Sequence, residues 1–60
     1  MKGSYTTVVK DENGKGWSAV YCKYVNGNFI RTKNTPKYFH YDAVQEARTI
    51  ALHNKAIYVG

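Results

Sequence analysis

Trp17-Ser18-Ala19-Val20-Tyr21-Cys22-Lys23-Tyr24, read as WSAVYCKY, lies between two Asn-Gly pairs, Asn13-Gly14 and Asn26-Gly27, and its reading decides the fold. The stretch is rich in β-branched and aromatic residues, and neither of its alternating sets is clearly polar. Asn-Gly suits a two-residue type I′ turn, because both central residues take positive φ. Two consecutive hairpins follow, with strands at Tyr5–Lys10, Trp17–Val25 and Asn28–Lys33.

Two-residue turns fix the register, because residues directly opposite each other share a face. Across Asn26-Gly27 the expected partners are Tyr24 with Phe29, Lys23 with Ile30, Cys22 with Arg31, Tyr21 with Thr32 and Val20 with Lys33. Across Asn13-Gly14 they are Tyr5 with Cys22, Thr6 with Tyr21, Thr7 with Val20, Val8 with Ala19 and Val9 with Ser18. One face then carries Thr6, Val8, Trp17, Ala19, Tyr21, Val25, Ile30 and Thr32, with Lys10 and Lys23 at its rims. The other carries Tyr5, Thr7, Val9, Ser18, Val20, Cys22, Tyr24, Phe29, Arg31 and Lys33.

After Asn34-Thr35-Pro36-Lys37, a loop by composition, Asp42 has the position of a helix cap, with Gln45 at capping-box spacing. The spacing predicts a helix over residues 43–54, with Ala43, Val44, Ala47, Ile50, Ala51 and Asn54 on one side and Leu52 left singly exposed. The small side chains at 43, 47 and 51 allow close approach to a sheet. Residues 56–59 have strand composition and are free either to pair with a sheet edge or to cover core as a tail. The expected architecture is α+β, a three-stranded antiparallel sheet with one C-terminal helix on one face. A single domain spans residues 1–60. One helix covers one sheet face, and the tryptophan beside Ala19 assigns it to the Trp17 face. The Tyr5, Tyr24, Phe29, Arg31 and Lys33 face is then left to water, and a mixed aromatic and cationic surface of that kind marks a contact area.

A chain of 60 residues hides only about 60% of the surface its unfolded form exposes, which leaves little room for a catalytic cavity. A binding module, not an enzyme, is the expectation. The single cysteine, Cys22, has no internal disulfide partner, and no apolar run is long enough for a signal peptide or a membrane span. These features suggest a reducing compartment, the cytoplasm, or the host cytoplasm if the protein is viral. The net charge of +5 comes from residues 1–37, where Lys2, Lys10, Lys15, Lys23, Arg31, Lys33 and Lys37 stand against Asp11 and Glu12. That asymmetry suits nucleic acid or an acidic protein surface, and also suits the plainer role of keeping strand edges soluble.

Gly16-Trp17-Ser18-Ala19 opening the second strand, the hairpin around Asn26-Gly27-Asn28-Phe29-Ile30, and the segment Asp42-Ala43-Val44-Gln45-Glu46-Ala47-Arg48 form a strand-strand-strand-helix order. This order resembles the ethylene-response-factor (APETALA-type) DNA-binding domain and its relatives in phage endonucleases. The resemblance implies a sheet that enters the major groove by the face opposite the helix, with base-reading positions at Ser18, Val20, Cys22, Phe29 and Arg31. Only Arg31 keeps a suitable guanidinium, and Tyr5-Thr6-Thr7-Val8-Val9 lacks the arginines of the family's first strand. Small phage regulators that grip a host protein with a sheet face are a second analogy.

His40, His53 and Cys22 lack the close spacing of a zinc site, so neither a metal nor a cofactor is expected. Cys22 lies across from Arg31, without a base, and reads as a strand filler. Tyr38, Phe39 and Tyr41 are expected to seat the loop and the helix start on the core. The candidate contact residues are Tyr5, Lys10, Lys15, Lys23, Tyr24, Phe29, Arg31 and Lys33. They suit nucleic acid, DNA ahead of RNA, through base stacking and phosphate contacts. They equally suit a protein partner or a homodimer on the same face, or one added at the strand edge beside Tyr5 or Val59.

Overall fold

The Asn26-Gly27 turn closes with both φ values positive, 50° and 84°, as a type I′ turn requires. Strand β2, Trp17–Val25, therefore pairs antiparallel with β3, Asn28–Lys33, in the expected register from Val25 opposite Asn28 to Val20 opposite Lys33. Strand β1, Tyr5–Lys10, pairs antiparallel with β2, again in the expected register. The computed structural model describes residues 3–60, so Lys2, counted above among the cations, lies outside them.

The first turn reaches that register by another route. Asn13 does not take a positive φ; Gly14 does, at 78°, and Gly16 at 98°. The Asp11 carbonyl accepts from Gly14 N at 2.9 Å, and a carboxylate oxygen of Asp11 accepts from Asn13 N at 3.2 Å. A four-residue loop built on a turn that starts at Asp11 thus replaces the expected two-residue loop.

Helix α1 runs over His40–Asn54, three residues earlier than the expected start. Phe39 is the N-cap, in extended conformation and with no side-chain cap bond, so Asp42 and Gln45 form no capping box. Asp42 instead occupies the first turn and His53 the last, each suited to the helix dipole. Lys55 takes the left-handed conformation that ends the helix, and its N–H donates to the Ala51 carbonyl. The chain then returns as β4, Ile57–Tyr58, parallel to β1.

The sheet therefore has four strands in the order β3-β2-β1-β4 and is mixed, not a three-stranded antiparallel one. The parallel pairing arises because the helix carries the chain back across the sheet, as a crossover must. Val59 N extends it with a 2.8 Å bond to the Thr6 carbonyl. Ala43, Ala47 and Ala51 are buried against Thr6 and Ala19, and the Thr6 hydroxyl donates to the Ala47 carbonyl at 2.9 Å. The helix is thus on the Trp17 face. Arg48 lies 5.5 Å from the Tyr58 ring, which places that flank of the helix over β4. Leu52, 76% exposed, stands alone off the stripe as expected.

Candidate functional site

Helix α1 lies over β1, β2 and β4 and does not reach β3. All six residues of β3 are exposed as a result. On the face away from the helix, the Phe29 ring sits 5.1 Å from Tyr24 and 6.0 Å from Tyr5, so three aromatic rings form one cluster. Register places Arg31 beside Cys22 and Lys33 beside Val20, next to that cluster on the same face. Phe29 is 55% exposed and Tyr24 38%, while Tyr5 is half-buried.

This face differs from the expectation along its middle strand. Ser18, Val20 and Cys22 are buried, although the helix lies on the opposite face. They are small residues on the central strand, flanked in register by Tyr5, Thr7 and Val9 on one side and Arg31 and Lys33 on the other. The segment after β3 also stays on β2: Asn34 N donates to the Ala19 carbonyl, and Trp17 and Lys37 exchange backbone bonds at 2.9 and 2.6 Å. Of the five positions that the family resemblance assigns to base reading, Ser18, Val20 and Cys22 are therefore sealed, and only Phe29 and Arg31 are open.

Charge sharpens the picture. No carboxylate occurs between Glu12 and Asp42, so the hairpin carrying Lys23, Arg31 and Lys33 has no acidic residue of its own. Lys23 projects from the helix-side face, next to Ile30 in register, while Arg31 and Lys33 project from the far face. Lys10 lies elsewhere, with Nζ 4.9 Å from the Trp17 ring, and Lys15 lies in the first loop. The eight expected residues thus divide: Tyr5, Tyr24, Phe29, Arg31 and Lys33 come together, Lys23 stands on the opposite face of the same hairpin, and Lys10 and Lys15 belong to the other end.

The Tyr5 hydroxyl titrates above the ordinary phenol range. The neighbouring Cys22 side chain is the main cause, first as a hydrogen-bonding group and then through its charge once ionised, desolvation adds to it, and the Arg31 guanidinium acts in the opposite direction. Cys22 itself is a free, buried thiol. Among the described residues, no three His, Cys, Asp or Glu side chains come together as a metal site would need.

That other end holds a feature the sequence reading missed. Tyr38, Phe39 and Tyr41 do not seat the helix start on the core; they are 78%, 61% and 69% exposed. The helix begins at His40, so these side chains straddle its first turn at the rim of the sheet. A cleft of about 460 Å³ opens there between Lys15, Gly16, Trp17, Tyr38, Phe39 and His40, with His40 edge-on to Trp17 at 5.5 Å. The run Tyr38-Phe39-His40-Tyr41 was the available signal. Unlike the β3 hairpin, this end balances Lys10, Lys15 and Lys37 with Asp11, Glu12 and Asp42.

No helix is long and apolar enough to cross a membrane among the described residues. The chain matches no protein-family model, and neither curated proteins nor solved structures show a significant match to it.

Proposed function

We propose that this protein is a small regulator that binds nucleic acid through the sheet face away from the helix. The observation that carries this reading is the exposed ring cluster of Tyr24 and Phe29 beside Arg31 and Lys33, on a hairpin without a carboxylate. Arg31 and Lys33 contact phosphates, and Phe29 and Tyr24 offer faces on which bases stack, a combination that tolerates many sequences. Tyr5 supports the Phe29 ring from the side. Lys10, Lys15 and Lys23 add steering charge. With Ser18, Val20 and Cys22 sealed, base reading from β2 has no place in this mode. DNA stands ahead of RNA only on the resemblance to a DNA-binding domain.

The test is a set of anisotropy titrations with labelled single-stranded and duplex oligonucleotides at several salt concentrations. With about four phosphates neutralised, log affinity falls against log salt with a slope near about −3.6 for duplex and about −2.8 for single strands. Arg31→Ala and Lys33→Ala each reduce the slope by about 1. A flat salt response, or a slope indifferent to both substitutions, overturns the reading.

A protein partner is the second reading, favoured by the open edge of β3. The edge beside Tyr5, expected to be available, is taken by β4, because the parallel return of the chain pairs Tyr5 with Ile57. Val59 N bonds inward to Thr6, so the free edge on that side of the sheet is that of β4.

A further inference from the structure

The outer edge of β3 has a definite pattern of unused backbone groups. Val25 and Asn28 close a two-residue turn and so exchange both their hydrogen bonds. Alternation from that pair directs the N–H and C=O groups of Asn28, Ile30 and Thr32 toward β2, and those of Phe29, Arg31 and Lys33 outward. The bond from Asn34 N to the Ala19 carbonyl keeps the same parity. Small sheets blunt such an edge with charged side chains, proline, a bulge, a short strand or a covering element. β3 has six residues, contains no proline, pairs with β2 without a bulge and lies outside the reach of α1. Ile30 is 54% exposed on one of its faces and Phe29 55% on the other.

We propose that this edge is a homodimer interface, in which β3 of a second copy pairs antiparallel about a twofold axis at Ile30 and continues the sheet. Charge and length select the register. An axis perpendicular to the sheet must set like faces opposite each other, so it passes through a residue of β3. At Arg31 it would place two guanidinium groups face to face. At Thr32 it would place Arg31 against Lys33 twice, and at Phe29 it would pair only residues 28–30 within the strand. At Ile30 it pairs residues 28–32 and places no like charges directly opposite. Phe29 and Arg31 of the second copy, both outward-directed, exchange their backbone bonds, and the guanidinium lies over the ring. Ile30 meets Ile30 on the helix side. Arg31 and Lys33 therefore do not close this edge; they exclude its wrong registers.

The Ile30 pair is of the non-hydrogen-bonded type, with Cα atoms about 4.5 Å apart, inside the disulfide range of about 4.4–6.8 Å. The experiment is sedimentation velocity across a concentration series on the full chain without nucleic acid, together with mild oxidation of Ile30→Cys and Thr32→Cys. The expected result is a reversible dimer that Ile30→Lys converts to monomer. Ile30→Cys should cross-link into a covalent dimer, and Thr32→Cys should not exceed the unmodified protein. A mass that remains that of one chain up to about 1 mM overturns the proposal, since affinity weaker than that is not specific association. A dimer that survives Ile30→Lys, or equal cross-linking from both thiol variants, also overturns it. Should Ile30→Lys lose its circular-dichroism signal, the thiol pair decides by itself. Phe29 and Arg31 enter both proposals, but the dimer is read at residue 30 and without nucleic acid, so its failure is distinguishable from that of the nucleic-acid reading.

Discussion

The Thr6 hydroxyl donates to the Ala47 carbonyl across the sheet–helix interface at 2.9 Å, and both residues are fully buried. This bond ties the start of β1 to the middle of α1. Close approach is possible because Ala43, Ala47 and Ala51 present little more than backbone to the sheet. Thr6→Val keeps the shape and removes the donor, while the Ala47 carbonyl retains its helical partner. The expected loss is about 0.5–1.5 kcal/mol, read as a lower urea midpoint at constant m-value. Thr6→Ala, which also leaves a cavity, should cost more. A Thr6→Val variant as stable as the unmodified protein would mean that packing, not the hydrogen bond, fixes this contact.

Ser18 presents the opposite case. Its side chain is fully buried and its Oγ finds no hydrogen-bond partner among the described residues. A hydroxyl held away from water without a partner is a cost of about 1–3 kcal/mol. Ser18→Ala should therefore raise stability, or at worst leave it unchanged, and thermal denaturation measures it. A gain of about 1 kcal/mol moves the midpoint of so small a domain by about 4–8 °C. A clear loss of stability would show that the hydroxyl is satisfied in solution.

Gly16 and Gly14 form a matched pair within one loop. Gly16 has φ of 98°, and a Cβ there would collide with the Lys37 carbonyl oxygen, a backbone atom that itself bonds to Trp17 N. Gly14, with φ of 78°, has open space around it. Gly14→Ala should cost only the conformational penalty, about 1–2 kcal/mol. Gly16→Ala adds a collision that parts β2 from the segment leading into α1. It should lower stability well beyond the Gly14 variant, to the point of unfolding a domain this small. Similar urea midpoints for the two variants would contradict this account.

The register was legible because two-residue and four-residue loops centred on the same Asn-Gly pair give the same pairing. The first hairpin shows this: a four-residue loop reaches the same pairing as the expected two-residue one, so Val8 still faces Ala19. The helix face was legible from Ala43, Ala47 and Ala51, which have no other reason to recur at that spacing. The far face was less so. Alternation says which residues share a side but not how deeply each is buried, and Ser18, Val20 and Cys22 are buried on the side away from the helix. Tyr38, Phe39 and Tyr41 misled because aromatic residues at a helix start usually pack inward, whereas here the helix begins at His40 and turns them to solvent. The pairing of β4 with β1 depends on where a helix deposits the chain, which no local pattern encodes.

Tyr5, Cys22 and Arg31 form one row across the far face, and their coupling gives a prediction at alkaline pH. The phenol is raised above its ordinary value of about 10, chiefly by the neighbouring Cys22 side chain and against the pull of Arg31. A raised value means that the folded state holds the proton more tightly than the unfolded chain. The stabilisation is complete below the unfolded value and is lost as pH rises through the folded one. Tyr5→Phe should therefore flatten the decline of thermal stability above about pH 10 relative to the unmodified protein. In an ultraviolet tyrosinate titration, Cys22→Ala should bring the Tyr5 transition down toward the ordinary range. Arg31→Ala should push it further up, because the guanidinium is the one nearby group that favours the phenolate. If Arg31→Ala lowers the transition instead, the row is not assembled as described and the ring cluster beside Arg31 loses its support.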